Sequence, residues 1–291
     1  MSEGVIIKAL SGFYYVEDGG VTVSCRAKGR FRHDGMSPLV GDRVTYNSAG
    51  NGTGTVESIL PRKNSFIRPA VANVDALVFV ACASRPVTDP FLIDRVSVIA
   101  EKAGCELIVC LNKTDEDSAE ELYRTYLSSG FTVVRTSAES GEGIEELRAA
   151  IRGRICAFTG NSGAGKSSII NRLVPGANIE TAVISDALGR GKHTTRHVEF
   201  YPVDEETFVA DTPGFASFEV EMVDQISAEE LPELFREFSS CEDICRFDDC
   251  RHVSEPGCAI KAAVAAGAIP ASRYASYARL YEIVKNRRPW D

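Results

Sequence analysis

Tryptophan occurs once, methionine three times and histidine four times in these 291 residues. No apolar run approaches the roughly 20 residues that a membrane-spanning helix requires, so none is expected. Basic charge is in deficit as well: 32 Lys and Arg stand against 41 Asp and Glu, a formal net charge of -9. A uniformly acidic protein is a poor partner for RNA, but the acidity is uneven. Residues 1–70 hold nine Lys and Arg against six Asp and Glu, so the excess of acid lies in the rest of the chain. Internal repeats and low-complexity tracts are missing, and Met1-Ser2-Glu3-Gly4 puts no basic flank ahead of an apolar core, so no secretory signal is expected. The expectation is a cytoplasmic globular protein of one large domain or two to three smaller ones.

Nine cysteines are present. Cys25, Cys82, Cys105, Cys110 and Cys156 lie singly beside apolar runs and read as buried free thiols. Cys241, Cys245, Cys250 and Cys258 crowd into one stretch with His252. In a reducing compartment such crowding points to a metal rather than to disulfides. Cys245-x4-Cys250-x-His252-x5-Cys258 supplies three thiolates and one imidazole, a complete tetrahedral set for structural zinc with no open position for catalysis. Cys241 is a spare that could replace Cys245. A staple of this kind suits a small helical module with too little core of its own.

Three segments follow from the change of pattern along the chain. Over 1–70, short apolar runs such as Phe13-Tyr14-Tyr15-Val16 and Val21-Thr22-Val23 alternate with Gly, Asp and Asn turns, which predicts a small β-barrel or sandwich. Within it, Arg26, Lys28, Arg30 and Arg32 recur at every second position. On a strand they would share one face. That face could bind an oligonucleotide, as in an OB-fold, or the cations could protect a solvated edge. Over 71–225, the near-continuous apolar runs at 75–83 and 106–111 suit strands covered on both faces. A helix at 91–103, a strand at 131–135, a helix at 144–151, a strand at 155–158, a helix from Lys166 and a strand at 208–210 complete an α/β alternation. Over 226–291 the pattern is helical on either side of the cysteines, ending in a helical spacing from Tyr274 to Trp290.

Two motifs carry the chemistry. Gly160-Asn161-Ser162-Gly163-Ala164-Gly165-Lys166-Ser167, followed by Ser168, reads G-x-x-x-x-G-K-S between an apolar strand and a helix start. Such a loop turns its backbone N–H groups toward phosphate, with the helix N-terminus behind them. Lys166 would contact the β- and γ-phosphates and Ser167 would bind Mg²⁺. Asn112-Lys113-Thr114-Asp115 reads N-K-x-D, a guanine reader: the Asp115 carboxylate can accept from guanine N1–H and the N2 amino group, a donor pair that adenine lacks. Asn112 and Lys113 would support the loop and flank the base, and Ser137-Ala138 would meet guanine O6. Asp211-Thr212-Pro213-Gly214 ends a strand, so that Asp211 would hold Mg²⁺ through water and the Gly214 N–H would meet the γ-phosphate. Between these lies Gly189-Arg190-Gly191-Lys192-His193-Thr194-Thr195-Arg196-His197, the expected first switch. Thr195 is chosen over Thr194 as Mg²⁺ ligand because Thr followed by Arg resembles the switch of related GTPases. Phe215 stands where many GTPases carry a water-orienting Gln, so either hydrolysis is slow or another group does this work; His193 is the nearest candidate in kind, able while neutral to accept a hydrogen bond from water.

In most GTPases the phosphate loop precedes the base reader, whereas here it follows. The simplest account is a circularly permuted GTPase, in which the segment after Asp211 leads straight into the C-terminal region. Motif order, the basic N-terminal β-domain, Gly189–Arg196 and the Cys245–Cys258 pattern with Glu255-Pro256-Gly257 together resemble the circularly permuted, ribosome small subunit-dependent GTPases of bacteria. The resemblance spans nearly the whole chain. It implies an N-terminal OB-fold, a GTPase domain and a zinc domain, with both flanking domains on ribosomal RNA. It also implies GTP hydrolysis with Mg²⁺, stimulated by the 30S subunit and its 16S rRNA, in late maturation of that subunit. The chain is expected to act as a monomer with one structural Zn²⁺. Two other classes remain open on sequence alone: an RNA-binding module in which GTP is structural, and a GTP-dependent regulator of a protein partner.

Overall fold

Period-two patterning in the first 60 residues produces a closed barrel. Its strands are β1 (Ser2–Leu10), β2 (Phe13–Asp18), β3 (Val21–Ala27), β4 (Arg43–Ser48) and β5 (Thr53–Ile59), in the spatial order β1-β2-β3-β5-β4. Pairings are antiparallel except β3 with β5, which is parallel. This is the five-stranded arrangement of an OB-fold. Ile6, Val16, Val23, Cys25, Val44, Tyr46 and Val56 fill its interior. The computed structural model describes residues 1–29, 31, 36–66, 69–179, 198–211, 223, 225–241 and 243–285.

The basic stripe departs from its expected geometry. β3 ends at Ala27, and Lys28 and Gly29 lie beyond it. Four cations therefore do not share one strand face. Nor is β3 an edge strand, since β2 and β5 flank it on either side, so edge protection has nothing to protect there. Arg26 stacks on Phe13, 4.7 Å from the ring centroid, and Lys28 pairs with Glu57. Arg30 and Arg32 lie outside the described residues.

The chain divides into two compact units, Met1–Leu77 with Ile151–Thr159 and Lys166–Phe215, and Val78–Ala150 with Gly160–Gly165 and Ala216–Asp291. The first contains the barrel, the strands β11 (Ile155–Gly160), β12 (Phe200–Pro202) and β13 (Phe208–Asp211), and a helix, α4 (Lys166–Leu173). β13 pairs in parallel with β11 and antiparallel with β12. A two-stranded ribbon, β6 (Ser65–Phe66) with β7 (Val71–Ala72), follows the barrel.

The second unit holds β8 (Ala76–Ala81), β9 (Glu106–Leu111) and β10 (Thr132–Arg135), in the order β10-β9-β8. β8 is buried along its whole length, as its unbroken apolar run predicts. The helix α1 (Pro90–Ala103) is delimited by its own sequence: the Asp89 side chain accepts from Phe91 N, Pro90 opens the first turn, and Gly104, at φ 65, closes the last. Helices α2 (Glu120–Ser128) and α3 (Ile144–Ile151) follow β9 and β10. Toward the C-terminus a 3-10 turn at Leu231–Leu234 leads to α5 (Arg236–Ser239), α6 (Ala259–Ala265) and α7 (Ala271–Val284). Phe235, Phe238, Tyr277 and Leu280 make their shared core. The helix expected over 274–290 thus starts three residues earlier and ends at Val284. The helical reading from Ser227 resolves into short turns.

Candidate nucleotide site and metal centre

In the second unit the base-reading and phosphate-binding loops are joined by one side chain. Asn112 leaves the end of β9 and is 2% exposed. Its Nδ2 donates to Ala164 O at 2.8 Å, and its Oδ1 accepts from Ala138 N at 3.1 Å and from Thr136 Oγ1 at 3.3 Å. One amide therefore ties the base reader to the phosphate loop and to the Ser137-Ala138 turn. Thr114 anchors the same loop by donating to Thr136 O from both its N and its Oγ1. Lys113, at φ 64, directs its ammonium to Arg85 O. Asp115 between these fixed neighbours is exposed. Ser137 is fully buried, its Oγ accepting from Ser140 N at 3.1 Å. The Ala138 N–H expected for guanine O6 lies on Asn112 Oδ1 here, so a base would share or replace that bond.

Two glycines of the phosphate loop are required by close approach. A Cβ on Gly165 would stand 2.2 Å from Asn112 Nδ2, and one on Gly160 would stand 2.2 Å from Val80 O. Both have positive φ, 96 and 126. A loop packed this closely against its neighbours admits no side chain at these two positions.

The chain then passes into the first unit at Lys166. There Ser167 Oγ donates to Asp211 Oδ2 at 2.8 Å. The structure thus brings together the hydroxyl and the carboxylate that sequence reasoning assigns to Mg²⁺, one as direct ligand and one through water. Two hard oxygen donors suit that ion. Burial holds the Lys166 ammonium below its usual lysine range, and Asp211 offsets part of the effect. His193, Thr195 and Gly214 lie outside the described residues.

The expected metal ligands converge without assistance from Cys241. The ligand atoms of Cys245, Cys250, His252 and Cys258 all lie within 4.8 Å of one another. His252 Nδ1 is 3.5 Å from Cys245 Sγ and 3.4 Å from Cys258 Sγ, and those two sulfurs are 4.0 Å apart. Zinc bonds of about 2.3 Å to sulfur and 2.0–2.1 Å to nitrogen would give tetrahedral edges of about this length. Ala259 N and Lys261 N donate to Cys245 Sγ and Cys258 Sγ at 3.3 and 3.5 Å, stabilising thiolates. Burial and the adjoining thiols push the Cys250 thiol up to about 12, so a cation is needed to ionise the set together. Burial likewise lowers the His252 pKa, favouring the neutral ligand form. The set can hold a metal ion. Glu255 fixes the loop by accepting from Arg251 N, Val253 N and Ser254 N at 3.0–3.1 Å.

Sequence reasoning passed over one buried constellation. Arg273 on α7 is 0% exposed. Its Nε and Nη2 donate to the Glu237 carboxylate at 2.6 and 3.0 Å, and its Nη1 donates to Asp94 Oδ1 at 2.7 Å and Ser97 Oγ at 2.9 Å. Tyr126 also donates to Asp94 Oδ1, at 2.8 Å. This cluster joins α1, α5 and α7. Nothing in A-S-R-Y-A-S-Y-A-R-L separates Arg273 from a surface arginine.

Comparison with known proteins agrees with this geometry. Residues 59–221 match the model of the RsgA GTPase family and residues 3–56 that of the RsgA N-terminal domain. The chain is 43% identical to the small ribosomal subunit biogenesis GTPase RsgA of Caldanaerobacter subterraneus subsp. tengcongensis, over 98% of this chain and 96% of that protein. It is 42% identical to its namesake from a Geobacillus species, over 99% of each. Among solved structures, YjeQ from Thermotoga maritima superposes with a TM-score of 0.84 at 36% identity, covering 98% of this chain and 99% of that one. YloQ, described as a circularly permuted GTPase, superposes with a TM-score of 0.81 at 33% identity, covering 99% and 96%.

Proposed function

The chain belongs to the RsgA GTPase family, and from that premise we infer that it hydrolyses GTP in the maturation of the small ribosomal subunit. The observation that carries the reading is the Asn112–Ala164 bond. It ties the expected guanine reader to a phosphate loop that follows it in sequence, which supports a single site built from the permuted motifs.

Within that function the residues divide as follows. Asp115 selects guanine, while Asn112, Lys113, Ser137 and Ala138 hold and flank the base. Gly160 to Ser168 bind the phosphates, with Lys166 on the β- and γ-groups and Gly214 on the γ-phosphate. Ser167, Asp211 and Thr195 bind Mg²⁺, which supplies charge neutralisation between the phosphates. His193 orients the attacking water. Cys245, Cys250, His252 and Cys258 hold one Zn²⁺, which elemental analysis of the purified chain would identify. Arg26, Lys28, Arg30 and Arg32 contact phosphates of 16S rRNA, with Arg26 and Lys28 at the end of β3 and the turn beyond it. The functional segments are 1–70, 71–225 and 226–291, acting as a monomer in the cytoplasm. Among the described residues no helix is long and apolar enough to cross a membrane.

The test is GTP turnover with and without purified small subunits. Turnover should be slow alone, rise with subunits and vanish in Lys166→Ala. Turnover indifferent to subunits would favour the RNA-binding or protein-regulator readings instead.

A further inference from the structure

The tip of the cysteine–histidine knuckle carries two exposed apolar side chains that neither nucleotide binding nor metal ligation uses. Ile244 is 90% exposed, more than any other large apolar side chain among the described residues, and Phe247 is 41% exposed. Isolated exposed apolar residues are ordinary. These two, however, border one groove of about 460 Å³, whose walls include Pro232, Phe238 and Ile260 together with the candidate metal ligands Cys245, Cys250 and His252. The tip is held in shape: Arg246 N donates to Gly257 O at 3.0 Å and Cys250 N to Phe247 O at 3.3 Å. Ile244 and Phe247 flank Cys245, whose thiol is fixed in the ligand cluster. A partner would meet a preformed apolar edge and would not have to order it.

Charge decides what that partner is. Asp243, Asp248 and Asp249 are exposed around the two apolar residues, and Glu233 is exposed at the groove. Among the described residues no ion pair reaches any of them. Arg246 is the one cation in the run from Cys241 to Cys250, and its guanidinium lies 5.6 Å from the Phe247 ring centroid. Nucleic-acid phosphate would be repelled by such a rim. An apolar centre with an acidic border complements an apolar side chain flanked by Lys and Arg.

We propose that the knuckle tip, residues 243–249, docks a basic protein segment that inserts an apolar side chain beside Ile244 and Phe247. On a subunit of RNA and protein, this assigns the C-terminal module a protein contact. The contact is distinct from the phosphate contacts given above to the N-terminal barrel. The inference rests on the proposed action at the small subunit.

The sign of a charge reversal separates protein from RNA. Equilibrium binding of the full chain to purified small subunits, with a non-hydrolysable GTP analogue, is compared with Asp243→Lys/Asp248→Lys and with Ile244→Ser/Phe247→Ser. Both double variants should bind roughly tenfold or more weakly, as expected for lost charge complementarity and a lost apolar anchor. Metal content and GDP affinity should match wild type. Tighter binding by the lysine variant would mean that the tip faces RNA, and unchanged binding that it faces nothing; either overturns the proposal. Independently, a photo-reactive benzoylphenylalanine at position 244 should cross-link to a basic protein of the subunit. Cross-linking to rRNA, or none, overturns the proposal even where a double variant loses its metal. If wild type does not bind subunits, the functional reading fails and takes this with it. If wild type binds and the variants bind equally, the docking proposal alone fails.

Discussion

Asp115 is an exposed carboxylate in a loop whose other members are fixed. Asn112 is braced by three hydrogen bonds and Thr114 by two to the Thr136 carbonyl. Replacing Asp115 by Asn therefore changes the acceptor and little else. Hydrogen bonds involving a charged group are worth about 1.5–3 kcal/mol each, so GTP affinity in Asp115→Asn should fall at least tenfold. Xanthosine triphosphate, with an acceptor where guanine has its amino donor, should gain. Competition binding with both nucleotides measures this, and an undiminished GTP affinity would remove Asp115 from the site. At this scale the sequence was legible wherever chemistry demands a residue type at a set spacing, as in G-x-x-x-x-G-K-S or the three cysteines and His252. It was illegible at Arg273, because what distinguishes a buried arginine from an exposed one is the company brought by α1 and α5, not its own segment.

The elements were readable where periodicity was strong. β9 and α3 begin and end where the pattern predicts, since each carries an uninterrupted apolar run or stripe. The basic stripe misled because period-two spacing runs on past the strand: β3 stops at Ala27, and spacing alone does not reveal the stop. Between elements, the Arg273 cluster yields a quantitative expectation. Arg273→Met would leave Asp94 and Glu237 as buried carboxylates without their cation, and breaking such a pair costs about 3–5 kcal/mol. Chemical denaturation should show that loss. Adding Asp94→Leu and Glu237→Leu to the same chain should restore most of it, because the whole ionic set is then replaced by apolar groups. Failure of the triple variant to recover would mean that the cluster's shape, rather than its charge balance, holds α1, α5 and α7 together. GDP affinity should stay within about threefold of wild type, since no nucleotide residue shares a partner with Arg273 and independent sites behave additively.

For the whole molecule, the permuted order has a mechanical consequence. In the usual order the segment after the Asp211 strand returns into the GTPase sheet, whereas here it leads to the turn at Leu231 and onward to the cysteine–histidine knuckle. The segment proposed to meet the γ-phosphate is thus covalently continuous with the C-terminal module. The Phe215 side chain cannot accept a hydrogen bond, so hydrolysis is slow or the water-positioning group is supplied from elsewhere. His193 lies two residues before Thr195, the proposed Mg²⁺ ligand, so ordering of that threonine by Mg²⁺ and γ-phosphate would carry His193 toward the attacking water. Switch segments of GTPases are ordered in this way. Subunit binding would complete the ordering, making the free enzyme slow and the bound one fast. His193→Ala should accordingly retain GTP affinity and subunit binding while losing most stimulated turnover, by about 10²-fold or more, the scale of a positioned general base. Single-turnover hydrolysis on saturating subunits is the measurement. A stimulated rate within about twofold of wild type, far short of that scale, would place the water-orienting group on the ribosomal partner.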